Sequence, residues 1–376
     1  MSQSLVALRG LPLLAAWLTL GLAMQDAHGA IAQVLEHAAA QQAAYSEAAQ
    51  TRSELLADLY LAGELGAFLD QLDAFANDSS LNTIARERIV HDAIMLCSQA
   101  LPQPGIRAYV TTLSDRKPTA YIWLYEGQHK VRMPLFDVGA AARFALRRWD
   151  ELAASEVAAL DLARGTTDYL TLWATDEASR QGILEALNQA ETQQLQLQRD
   201  AIARALQNDA SVDRLALIAA TRLADKALFQ TLAAFASPSS ALRMLADVRT
   251  SLAPQDAFEV LRLASTRPAI ASAAMLQMGH LASESPSVSS FLLQSLGDRD
   301  RGGSAAVALA RLQDPAIASE LGVILQSTGS LTTRRRAALA LKLDNSPAAN
   351  AELDKFVADP QSSAALKREV ATWLAD

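Results

Sequence analysis

The chain has 376 residues, of which 51% are hydrophobic and 20% charged. This composition excludes a disordered chain, and the length exceeds one ordinary core, so two or three units or one extended repeat array are expected. Lys and Arg number 33 against 41 Asp and Glu, a formal net charge of −8; that argues against a general nucleic-acid binder, which needs a surplus of basic groups to displace counterions.

Residues 1–29 read as a secretory signal peptide. Arg9 precedes an apolar run, LPLLAAWLTLGLAM at 11–24, which has the length of a signal core and is shorter than the ~20 residues a bilayer span needs. Ala27-His28-Gly29 is a small-x-small site, so cleavage is expected before Ala30, with cleavage nearer Ala23 or an uncleaved anchor as alternatives. No cysteine stands near the end of the run, which excludes lipid attachment there, and no later segment is long and apolar enough to span a membrane. Cys97 is the single cysteine. A protein that leaves the cytoplasm without a disulfide depends on packing alone, and a bacterial periplasm suits it better than a eukaryotic extracellular space.

Residues 30–103 form the expected N-terminal helical segment. From 30 to 75 the chain lacks proline and is rich in Ala, Gln, Glu and Leu, all good helix formers. Asn77-Asp78-Ser79-Ser80 breaks it, and a helix over about 81–101 places Ile89, Ala93, Leu96 and Ala100 on one face. Residues 104–137 read as a small β module. IRAYVTTL (106–113) reads as a first strand, followed by a hairpin of TAYIWLY (119–125) and KVRMPLF (130–136) around a turn at 126–129. Pro134 suits an edge strand. A period of two puts Tyr121, Trp123 and Tyr125 on one face of the middle strand and Ile122 and Leu124 on the other. Connecting helices fill 138–211, with Arg164-Gly165 as a helix stop.

From 212 to 376 the chain repeats. Short Ala-rich helical runs end at Leu223, Leu252, Leu281, Leu312, Leu343 and Leu374, at successive spacings of 29, 29, 31, 31 and 31 residues. A sustained period near 30 marks stacked helical pairs. Ser285-Pro286, Asp314-Pro315 and Ser346-Pro347 each set a capping residue before a proline at the first helical position, where its missing N–H costs nothing. Each unit therefore reads as helix, tight turn, helix.

The segment Ala305-Ala306-Val307-Ala308-Leu309-Ala310-Arg311-Leu312-Gln313-Asp314-Pro315 resembles the HEAT-like repeat of the short, phycobilisome-lyase type. The segment 336–343 resembles it too but lacks the Asp-Pro, and the earlier copies are looser. The resemblance covers 212–376 only. It implies a mainly α fold, an α-solenoid of HEAT-like pairs that presents a curved surface to other proteins; it does not imply lyase activity.

Chemistry-bearing motifs are absent from the sequence: no H-E-x-x-H, G-x-S-x-G, G-x-x-x-x-G-K-[ST], G-x-G-x-x-G or C-x-x-C occurs. The histidines His28, His37, His91, His129 and His280 are dispersed, so no metal, cofactor or catalytic residue is expected. His91 and Cys97 lie six residues apart on one helix and point in different directions; Cys97 reads as a buried small hydrophobe. Two binding candidates remain. Tyr121, Trp123 and Tyr125 could form an aromatic platform for a glycan or peptide, against ordinary packing of the sheet. Arg334, Arg335 and Arg336 at a helix start oppose the helix dipole and could meet an acidic partner or lipid headgroups, against a solvated helix end. The loop 298–303, with alternating Asp and Arg before two glycines, reads as a flexible turn between repeats. The function expected is a non-catalytic periplasmic scaffold or adaptor for another envelope protein, with no nucleic acid as partner. A glycan- or peptide-binding module on 119–125, or an enzyme of unrecognised class, are the alternatives.

Overall fold

The structure, a computed structural model, describes residues 33–35 and 37–375; the signal expected over 1–29 lies outside the described residues. Those residues are mainly helical, with 20 α-helices and one small sheet, and no helix among them is long and apolar enough to cross a membrane. The chain divides into two compact units, one comprising residues up to 96 with 111–142, the other 97–110 with 143–376.

The first unit opens with β1 (Gln33–Leu35), α1 (His37–Ala44), α2 (Glu47–Leu61), α3 (Leu65–Ala76) and α4 (Thr83–Cys97). Ser46 caps α2 by accepting the Ala49 N–H, and α2 packs on α3. The expected hairpin is present as β2 (Ala120–Glu126) and β3 (His129–Pro134), paired antiparallel from Tyr121↔Pro134 to Glu126↔His129. This register leaves a two-residue turn with Gly127 at φ 62°, the left-handed conformation that tight hairpin turns require. Pro134 falls at the end of an edge strand, where its missing N–H breaks no ladder.

The third strand differs from expectation. Residues 106–113 are a helix (α5, Ile106–Leu113), with Ile106 and Val110 both buried. Those two sit four residues apart, and their helical spacing prevails over the β-branched composition that suggested a strand. The third strand is β1, from the segment expected to be helical, and it runs parallel to β2 with Gln33 opposite Ala120. The inward face of β2 supplies Ala120, packed with Ala44 of α1 and Ile84 of α4.

Glu87 of α4 is buried in this unit and accepts the Thr119 N–H at 3.1 Å. Burial pushes its carboxyl above the usual range. The folded protein therefore holds that proton at pH values where the unfolded chain has already lost it, so this stability is full below the ordinary Glu range and is lost as pH rises from there through the raised folded value. Glu87→Gln keeps an acceptor without the charge. It is expected to raise the melting temperature at pH 7 and leave it unchanged at pH 4, a contrast that two thermal melts will read.

The second unit contains most of α6 (Val138–Arg164), then α7 (Tyr169–Trp173), α8 (Glu177–Gln189), α9 (Thr192–Asn208), α10 (Asp213–Leu223) and α11 (Lys226–Phe235). It continues through α12 (Pro238–Ser251), α13 (Pro254–Ala264), α14 (Pro268–Leu281), α15 (Pro286–Ser295) and α16 (Gly302–Ala310). It closes with α17 (Pro315–Gln326), α18 (Leu331–Asp344), α19 (Pro347–Ala358) and α20 (Ala364–Ala375). Each helix from α8 to α18 packs on the next but one in the even-numbered series, and in the odd-numbered series α9 packs on α11, α11 on α13 and α17 on α19. One apolar core runs without interruption from Ala158 of α6 to Val370 of α20. The alternation thus begins with α8 and α9, ahead of the first repeat visible in the sequence.

Local chemistry explains the joints. Asp314 accepts the Ala316 N–H at 2.8 Å, and Ser346 the Ala349 N–H at 3.2 Å. Ser285 makes no such cap; its hydroxyl lies 2.8 Å from that of Ser287. Ala224, Gln313 and Asn345 adopt left-handed backbone just after α10, α16 and α18, the conformation that ends a helix tightly. The repeat-marking leucines are not themselves the seam: Leu281 is buried, but Leu343 is 51% exposed. The seam lies one turn earlier, at the fully buried Ala220, Val248, Met278, Leu309 and Ala340. Between α14 and α16, Gly279 lets the backbone of Ala308 approach closely. Between α13 and α15, Phe258 and Phe291 meet edge to face at 5.7 Å.

Candidate functional site

A groove of about 760 Å³ opens in the second unit, lined by residues of α6, α8, α10 and α12. Helical spacing aligns its walls. Glu177, Gln181, Glu185 and Asn188 recur along one face of α8, and Arg214, Leu217 and Ile218 along one face of α10. Asp176 starts α8 by accepting the Ser179 N–H at 2.8 Å. Gly182 fixes how near α8 lies to α6: a methyl group there would stand 2.1 Å from the Glu151 carbonyl oxygen and 2.8 Å from the Ser155 nitrogen.

Ion pairs organise the polar rim. Arg148 donates to both oxygens of Glu185, at 2.8 and 3.1 Å, and to Glu151 at 3.3 Å. This fork geometry is the strong form of the arginine–carboxylate contact, and it holds the Glu185 carboxyl below the usual carboxylate range. Arg147 reaches Glu151 at 3.5 Å; Glu177 lies 3.5 Å from Arg180 and 3.6 Å from Arg214. Arg243 of α12 lines the groove and pairs with no acid among the described residues. Leu184, Leu217 and Ile218 give the wall an apolar stretch between these charges.

The residues singled out by the sequence lie elsewhere. Tyr121 and Trp123 share a face of β2, as the period of two requires, but the Arg132 guanidinium stands 3.8 Å above the Tyr121 ring and the Lys130 ammonium 4.5 Å above the Trp123 ring. Cations of β3 therefore cover this side of the aromatic face. The Tyr125 backbone pairs with Lys130, and its side chain lies outside what is described.

Arg334, Arg335 and Arg336 are each engaged within the unit. Arg334 donates to the Leu325 carbonyl at 2.8 Å, and Arg335 to Glu369 at 2.9 Å. Arg336 donates to the carbonyls of Leu296, Asp298 and Arg299. Leu325 and Leu296 stand at the C-terminal ends of α17 and α15, where carbonyls lack intrahelical partners and the dipole favours positive charge. The same solution recurs: Arg222 closes α8 through Leu187 and Asn188, and Arg267 closes α11 through Ala233 and Ala236. In the 298–303 loop, Asp298 accepts the Asp300 and Arg301 N–H groups at 3.0 Å, and the Arg301 guanidinium lowers its carboxyl to about 2. Cys97 is buried, and desolvation pushes its thiol up to about 12.

The groove leaves little mark in the sequence because its charges come from four helices spread over about a hundred residues. One signal was available: Arg214 and Arg243 each stand nine residues before a repeat-marking leucine, Leu223 and Leu252. Among the described residues, no three His, Cys, Asp or Glu side chains gather as a metal site requires. Compared with known proteins, the chain matches no family model and no curated protein.

Proposed function

We propose that this chain is a protein-binding scaffold of the cell envelope. In this reading it is an α-solenoid of HEAT-like helical pairs, exported to the periplasm by the signal at 1–29, and it holds a segment of another protein in the groove of α6, α8, α10 and α12. The observation that carries the reading is the groove: an open trough crossing several successive helices, with an apolar stretch flanked by charge. Such a surface suits an elongated polypeptide, whereas a small molecule is held in a cavity that encloses most of it. The alternating helix contacts and the period near 30 support the solenoid, because each pair leaves an apolar face that its neighbour covers. The aromatic-strand alternative gains nothing from the cations lying over Tyr121 and Trp123.

The test is site-specific photo-cross-linking in intact cells. A photoreactive residue at Asn188, exposed in the groove, should give one discrete adduct with an envelope protein. The same residue at Gln128, in the hairpin turn, should give none. Absence of an adduct at Asn188, or equal labelling from both positions, rules the reading out. The mass of the mature protein checks export, with Ala30 expected as its first residue.

A further inference from the structure

We infer that the segment held in the groove is acidic and extended, and that Arg214 and Arg243 read its carboxylates. This rests on the scaffold reading of the same groove. The charges of the site are unequal in their availability. Arg148 is locked between Glu185 and Glu151. Glu177 is shared at 3.5 and 3.6 Å between Arg180 and Arg214, which leaves most of the Arg214 hydrogen-bonding capacity unused. Arg243 has no acidic partner among the described residues. Four arginines face three glutamates along the lining, so the trough is net positive in a chain whose formal charge is −8. The net negative charge of the chain repels an acidic ligand while the groove attracts it, a field that both steers and selects.

Spacing adds to charge. Arg214 on α10 and Arg243 on α12 are 29 residues apart, one repeat, and α10 packs directly on α12. Packed helices are separated by about 8–10 Å, and an extended chain in the polyproline II form rises about 3.1 Å per residue with three residues per turn. In that form every third side chain returns to the same face, so a peptide crossing the helices presents a carboxylate to each arginine at every third residue. The guanidinium fork accommodates such carboxylates in pairs of hydrogen bonds, and Leu217 and Ile218 offer contact to the residues between.

The experiment is fluorescence anisotropy of the whole mature protein with a labelled twelve-residue peptide of alternating Glu-Gly-Ser triplets. Binding is expected to weaken as salt rises and to fall at least about tenfold for each of Arg214→Glu and Arg243→Glu. Arg335→Glu, outside the groove, should leave it unchanged. Both groove arginines are exposed, and circular dichroism will confirm that the variants remain folded; the milder Arg243→Gln should still weaken binding. The inference is overturned if the peptide does not bind, if reversal of the groove arginines has no effect, or if inorganic polyphosphate or anionic vesicles bind in place of the peptide. An Asn188 adduct that persists while the acidic peptide fails would remove the acidic assignment and leave the scaffold reading standing; loss of both would remove both.

Discussion

Gly182→Ala is expected to lower the stability of the second unit by about 3 kcal/mol, at the upper end for overpacking a single methyl group. The added carbon would stand 2.1 Å from the Glu151 carbonyl oxygen and 2.8 Å from the Ser155 nitrogen. Both atoms belong to the backbone of α6, which cannot rotate away as a side chain would. Helix α8 must therefore move off α6, and the Arg148–Glu185 fork that spans them should open with it. Alanine's better helix propensity returns about 1 kcal/mol, so the net loss reports a steric cost larger still. Gly303→Ala is the control: it is also a helical glycine of the second unit, but nothing lies within 4 Å of its new methyl group, and it should be neutral or slightly stabilising. Thermal melts of both variants, read against the parent, decide the matter. If the two behave alike, close approach of α6 and α8 is not what requires glycine at 182. Peptide binding by Gly182→Ala should also weaken, because the α8 wall of the groove would be displaced.

Trp149→Ala is the second large effect, expected at about 3–5 kcal/mol. Trp149 on α6 is fully buried and heads the large buried side chains of the described residues. Its indole N–H donates at 3.0 Å to the carbonyl of Cys97, the last residue of α4, a group without a partner inside its own helix. Trp149→Phe separates the two contributions. Phenylalanine retains much of the ring volume but no donor, so it should cost about 1–3 kcal/mol, the range for leaving a buried polar group unsatisfied. If Trp149→Phe were as damaging as Trp149→Ala, the hydrogen bond would outweigh the packing.

The particular places where sequence and structure part company share a cause. IRAYVTTL is β-branched and aromatic, yet it folds as α5 because burying Ile106 together with Val110 favours a four-residue step over alternation. The strand that joins the hairpin, β1, is only three residues long and parallel to β2, and a pairing across more than eighty residues leaves no local trace. In the sequence, Arg334-Arg335-Arg336 leaves open an acidic partner, lipid headgroups or a solvated helix end. Two of them instead satisfy the C-terminal carbonyls of other helices, which are identifiable only when those helices are in place. The helices α8 and α9 continue the alternating packing without showing the leucine period.

By itself the sequence determined the mainly helical character, the hairpin with its turn at Gly127, most joints of the C-terminal helices, and the period near 30 that pairs them. Each of these is written in neighbouring residues: helix propensity, a glycine at positive φ, and Ser or Asp before proline are local signals. Only the tertiary structure decided which arginines are engaged and which are available. Arg336 and Arg243 are chemically identical and both follow the repeats; one is held by three carbonyls, the other faces an open groove. The availability of a charge depends on what lies within hydrogen-bond reach across the fold, and that distance is set by packing between helices far apart in the chain.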